Sequence, residues 1–201
     1  MNIMKMTLRK TITALAAAAA LAFAGASRAD AQAKKGIFAL STNIPDYIAL
    51  GTMNLRADVA VHQHWSIEGT FKYNPWTFRA NGDPENQMQN RNITWSLGPR
   101  YWFWNYYAGW FIQAQAQYQQ YNRGGIWDKY VTEADAFGGG VALGYTYLIS
   151  GHWNIEFGLG VWAGVESYNQ YNCPRCGRTV DSGTRFFVMP NDILVSIVYI
   201  F

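Results

Sequence analysis

Cys173 and Cys176 stand three positions apart in Cys173-Pro174-Arg175-Cys176-Gly177, and they are the two thiols of the 201-residue chain. Such a pair of thiolates makes one half of a tetrahedral zinc knuckle, which needs two further ligands. The three histidines, His62, His64 and His152, would be the natural partners. In an oxidising export compartment the two thiols form a disulfide instead. The disulfide is the plainer expectation. A shared metal site or a redox pair is the alternative, with Cys173 and Cys176 as the candidate ligands. Asp83, Glu85, Asp128, Glu133, Asp135 and Asp181 read as solvated loop carboxylates. No Gly-rich phosphate loop is present, and basic and aromatic residues do not cluster as a nucleic-acid surface requires. Cleavage of lipid or peptide would call for a His-activated nucleophile or water. All three histidines fall in short turns of the pattern derived below, away from the longer loops. No catalytic residue and no cofactor is therefore expected, and the chain does not read as an enzyme.

The elements that position these residues follow an export signal. Lys5, Arg9 and Lys10 give a basic start, residues 14–24 an apolar run, and Ala29-Asp30-Ala31 a small-x-small cleavage pattern. Residues 1–31 are thus assigned to a signal peptide and 32–201 to the mature domain. The apolar run is short of the roughly 20 residues a spanning helix needs. The full chain has 16 Lys+Arg and 13 Asp+Glu; without Lys5, Arg9, Lys10, Arg28 and Asp30 it carries 12 of each sign. The basic pI then implies nothing about nucleic acid. Hydrophobic residues make up 50% and aromatics 16%, yet no later apolar run could cross lipid as a helix. That hydrophobicity must lie in alternation.

The alternation has a period of two. Met53, Leu55, Ala57, Val59 and Val61 share one face, and Asn54, Arg56, Asp58 and His62 the other. Trp110, Ile112, Ala114, Ala116 and Tyr118 likewise alternate with Gln113, Gln115, Gln117 and Gln119. Such runs are strands with one apolar and one polar face. Eight are predicted, at about 36–43, 53–62, 65–74, 92–103, 109–120, 135–148, 153–166 and 187–201. The connections 63–64, 104–108 and 149–152 are short, whereas 44–52, 75–91, 121–134 and 167–186 are longer. Alternating short turns and long loops are the habit of outer-membrane barrels. The expected fold is an all-β, eight-stranded antiparallel up-and-down transmembrane barrel.

A soluble barrel would place the apolar face inward. Three features favour the reverse. Gly138, Gly140, Gly144, Gly158, Gly160 and Gly164 all lie on the polar face, where small residues suit the crowded lumen of an eight-stranded barrel. Trp65, Tyr101, Phe103, Trp110, Tyr145, Tyr147, Trp153, Tyr199 and Phe201 form one aromatic band near the short turns. Tyr73, Trp95, Tyr118 and Phe137 form another towards the loops, with an aliphatic belt between. Tyr199 and Phe201, with Ile193, Val195 and Ile197 on their face, look like a C-terminal signal for the outer-membrane assembly machinery. With the polar face inward, Arg56, Asp58, Glu68, Lys72, Arg100, Glu156 and Glu166 enter the lumen, where an ion-pair network is expected to hold the walls. Pro99 cannot donate to a ladder, so a bulge or local break is expected there.

Asn74-Pro75-Trp76-Thr77-Phe78, Arg100-Tyr101-Trp102-Phe103 and the Cys-Pro-Arg-Cys-Gly segment resemble a domain-of-unknown-function family of small Gram-negative outer-membrane proteins. The resemblance covers about residues 40–201. It implies a barrel, an outer-membrane address and company with surface-fimbria assembly proteins; it carries no reaction, ligand or catalytic residue. The function expected is a structural or surface-binding one, with loops that include Trp76, Phe78, Trp127 and Tyr130 facing a partner. The partners are outer-membrane lipid, the barrel-assembly machinery during biogenesis and an envelope or surface protein. A narrow pore is the alternative, and a lipid-modifying enzyme a more distant one.

Overall fold

Runs of alternating residues become strands in the computed structural model, which describes residues 37–79, 87–126, 130–172 and 178–201, with backbone alone at 191 and 192. The signal peptide assigned to 1–31, the two cysteines and Trp127 lie outside the described residues. In chain order come β1 (Phe38–Asn43), α1 (Ile44–Ile48), β2 (Met53–His62), β3 (Trp65–Asn74), β4 (Thr77–Arg79) and β5 (Gln87–Trp102). Then follow β6 (Gly109–Gly124), β7 (Val131–Leu148), β8 (Trp153–Tyr171) and β9 (Thr179–Ile200).

Each strand pairs antiparallel with its chain neighbour, and the meander forms a ring. β1 pairs with both β2 and β9, while β3 pairs with β5. β4 is a three-residue continuation that pairs with β5 beyond the Pro75-Trp76 interruption. The sequence pattern alone places that segment in a loop. The same pattern places residues 44–52 in a loop, where Pro45 near the first turn instead starts the five-residue α1.

The strands overrun their predicted ends on the long-loop side. β6 continues to Gly124, β7 begins at Val131, β8 ends at Tyr171 and β9 begins at Thr179. Glu133 and Asp181 consequently stand on strands, as Asp135 does at the predicted strand start, and Tyr118 and Tyr168 donate hydroxyl bonds to Asp135 (3.0 Å) and Asp181 (2.8 Å). In β6 and β8 these extensions carry polar residues on both faces, Asn122 with Arg123 and Asn169 with Gln170, so alternation fades while backbone pairing continues. Pro99 makes no bulge. The β5–β6 ladder lapses at Gly98 and Pro99 and resumes in the same register, from Leu97↔Ala116 to Arg100↔Gln113. The register does shift between Leu159 and Val161 where β8 meets β9.

Curvature depends on the inward glycines. Gly138 faces Gly164 across the β7–β8 ladder. A Cβ on Gly138 would sit 2.1 Å from the Ala163 carbonyl oxygen, and one on Gly164 would sit 2.2 Å from that of Phe137. The two strands approach too closely there for a side chain on either residue. Along β6 the opposite demand is met, since Gln113, Gln115 and Gln117 are buried on the inner row.

Candidate functional site

The interior is layered. At the short-turn end Ala39, Trp102, Tyr107, Phe111, Leu194, Val198 and Ile200 form an apolar cluster. Tyr107 reaches it from the 103–108 turn with a left-handed backbone (φ 62). The conformation is held at both ends of the residue: its hydroxyl donates to the carbonyls of Ile37 and Asp58 (3.0 Å each), and Asn154 Nδ2 donates to its carbonyl (2.8 Å).

Above that cluster lies a buried ionic layer. Glu68 on β3 accepts from Arg56 of β2, with Nη2 at 2.6 Å, and from Arg100 of β5. Arg100 also reaches Glu156 of β8 (3.0 Å) and Asp58 of β2 (3.6 Å). Gln113 Nε2 donates to Glu68 (2.9 Å) and Thr146 Oγ1 to Glu156 (3.1 Å). Trp102 Nε1 donates to Ser66 Oγ (2.9 Å), which donates to Asp58 (3.1 Å). The Arg100 guanidinium lies 4.2 Å from the Phe111 ring centroid, which joins the ionic layer to the apolar one. This layer ties together β2, β3, β5, β6, β7 and β8.

Five of the seven charged residues expected in one network meet there: Arg56, Asp58, Glu68, Arg100 and Glu156. Lys72 and Glu166 do not. Lys72 pairs with Asp46 of α1 (3.2 Å), and Glu166 with Arg185 of β9 (2.5 Å). Register explains the separation. Lys72 is four residues along β3 from Glu68, and Glu166 is ten along β8 from Glu156, or roughly 13 and 33 Å of strand. Asp46 was missed because α1 was read as loop. Arg185 was missed because it lies two residues before the predicted start of the last strand, although it shares a row with Phe187. Gln113 was visible as the first member of the inner glutamine row.

Between the ionic layer and the long-loop end Trp162 packs on Phe187 (ring centroids 4.5 Å apart) beside Ala136. Further out, Tyr121 donates its hydroxyl to Glu166 (2.7 Å). His64 and His152 make turn contacts through Nδ1 with the carbonyls of Trp102 (3.0 Å) and Ile200 (2.8 Å). Among the described residues no group of three or more His, Cys, Asp and Glu side chains could hold a metal ion.

The outer surface is the reverse of the interior. Leu97, Phe137, Val141, Leu143, Leu159, Val165 and Ile197 are exposed. Near the short turns Trp65 packs on Tyr101 (5.1 Å), Trp110 on Tyr145 (5.3 Å), and Tyr199 on Trp153 and Phe201 (4.9 Å each). Tyr199 and Phe201 thus belong to this outward aromatic band.

Fold and interior together define an all-β ring of antiparallel strands with charges inside and apolar side chains outside. The chain belongs to the family described as "Protein of unknown function (DUF3575)", whose model matches residues 17–201. Comparison with curated proteins and with solved structures gives no match.

Proposed function

We propose that this chain is an eight-stranded transmembrane β-barrel of a Gram-negative outer membrane, exported by a signal peptide over residues 1–31. Its role on this reading is structural or surface-binding rather than enzymatic. One observation carries the proposal: Arg100 and Glu68 are 1% exposed while Phe137 is 65% and Leu159 is 68% exposed. In water such an apolar surface, continued around the ring, would drive aggregation. In lipid it is the stable arrangement, with aromatic girdles at the headgroups and aliphatic residues between them. A tilted strand crosses hydrocarbon in about 9–11 residues. β6 to β9, at 16, 18, 19 and 22 residues, therefore project beyond the bilayer at the long-loop end. The filled interior favours a rigid scaffold that displays this projecting end to a partner outside the cell.

Photo-crosslinkers placed at Phe78 and Tyr130 test this role in intact cells, with Phe103 of the opposite end as the reference. A defined adduct from Phe78 or Tyr130, and none from Phe103, is the expected result. Adducts from Phe103 alone, or from none of the three, would overturn the surface-binding role.

A further inference from the structure

At the projecting end a cavity of about 120 Å³ opens among Tyr121, Arg123, Tyr130, Thr132 and Arg185, drawn from β6, β7, β9 and the turn between β6 and β7. That volume is about four times the share of one water molecule in the liquid. It accommodates one charged group and the atoms next to it. Two arginines line this small space, and each is fixed on its stem side. Arg123 donates through Nε to Asn90 Oδ1 (3.1 Å) and lies over the Tyr121 ring (5.2 Å). Arg185 donates through Nε to Glu166 (2.5 Å) and lies over the Tyr168 ring (4.5 Å).

Among the described residues Arg123 hydrogen-bonds through Nε alone, whereas Arg185 bonds Glu166 through Nε and also engages the Tyr121 side chain. A guanidinium has five N–H donors, four of them on the terminal nitrogens. Two forks are thus held by neighbours and rings, and among the described residues the terminal donors of Arg123 are uncommitted. That geometry suits bidentate capture of an oxyanion, and the prior fixing of each fork lowers the ordering cost of binding. Glu166 balances one of the two positive charges, which leaves the recess with a net charge to offer. The rest of the lining is of another kind. Tyr121 and Tyr130 offer ring faces and Thr132 a hydroxyl, the combination that packs against the apolar face of a sugar and bonds its hydroxyl groups.

We propose that this recess binds an acidic saccharide, with the sugar's carboxylate or phosphate between Arg123 and Arg185. The inference deepens the surface-binding reading by naming a ligand class. Binding to the purified chain does not depend on which way the barrel faces, so the two can fail separately.

The test is calorimetry on the full mature chain extracted in detergent. The probes are a galacturonic acid trimer, maltotriose, inorganic phosphate and a tetraglutamate peptide. The acidic trimer is expected to bind, maltotriose not to, and phosphate and peptide to bind at least tenfold more weakly. Arg123→Gln should weaken the trimer at least tenfold, and Arg123→Lys, which keeps charge but loses the fork, by an intermediate factor. Arg178→Gln, outside the recess, should bind as the parent does. Heat-dependent gel mobility shows whether each variant remains folded. Absence of trimer binding, or equal binding by folded Arg123→Gln, would overturn the site. Equal affinity for phosphate or for the peptide would overturn the saccharide.

Discussion

Glu68→Ala should destabilise the folded chain by about 3–5 kcal/mol, the cost of breaking a buried ion pair from one side. Glu68 compensates two guanidiniums at once, those of Arg56 and Arg100. Both arginines are buried, and Arg100 is also enclosed by Trp102 and Phe111. Without Glu68, Arg100 retains Glu156 and the longer contact to Asp58, whereas Arg56 loses the 2.6 Å pair with Glu68. Removing an arginine with its carboxylate would cost less, because the main penalty is a charge left without compensation in a dry interior. Asp58→Asn is the internal comparison. Its ion pair with Arg100 is the longest in the layer, at 3.6 Å, and an amide oxygen can still accept from Ser66. The loss expected there is smaller. Urea unfolding in lipid vesicles, followed by tryptophan fluorescence, checks both variants. Equal effects would show that the layer does not act through Glu68.

The second large effect is expected on the opposite face. Val141 is exposed, and it stands midway along β7 between the outward aromatics Phe137 and Tyr145. On the membrane reading this is the middle of the hydrocarbon, where an arginine costs about 2–4 kcal/mol. A soluble protein would register the same surface substitution within about 0.5 kcal/mol. Val141→Arg thus separates the two environments by magnitude alone. Unfolding in vesicles should show the loss, and a change inside the soluble-protein range would count against burial in lipid.

How much of this was legible in the sequence depended on whether neighbours in space were also neighbours in pattern. The faces of β2, β3 and β6 could be read because each alternates cleanly, and one slipped residue would turn Arg56 or Glu68 outward. Five members of the ionic layer were identifiable by the same rule, since charged residues on an inner row have nowhere else to go. Which charges would meet was not legible. Stagger between strands sets the height of each residue, and alternation carries no information about stagger. Lys72 therefore found Asp46, on a helix that a five-residue segment scarcely announces, and Glu166 found Arg185. The strand extensions of β6 and β8 were hidden for a related reason: Asn122 and Arg123, and Asn169 and Gln170, are polar on both rows, so pairing continued where the hydrophobic signal had stopped. Tyr107 gave no signal, because a turn aromatic that folds inward looks like one at an interface.

The orientation of the wall can be read by electron spin resonance. Nitroxides would be placed at Val141, Leu143 and Tyr130, one at a time, in a chain with Cys173 and Cys176 replaced by serine and reconstituted in lipid. Labels at 141 and 143 should collide freely with dissolved oxygen and stay shielded from a water-soluble nickel chelate, while the label at 130 meets the chelate. Free collision with the chelate at 141 and 143 would mean that this apolar face lies in water, and the membrane-barrel proposal would be wrong.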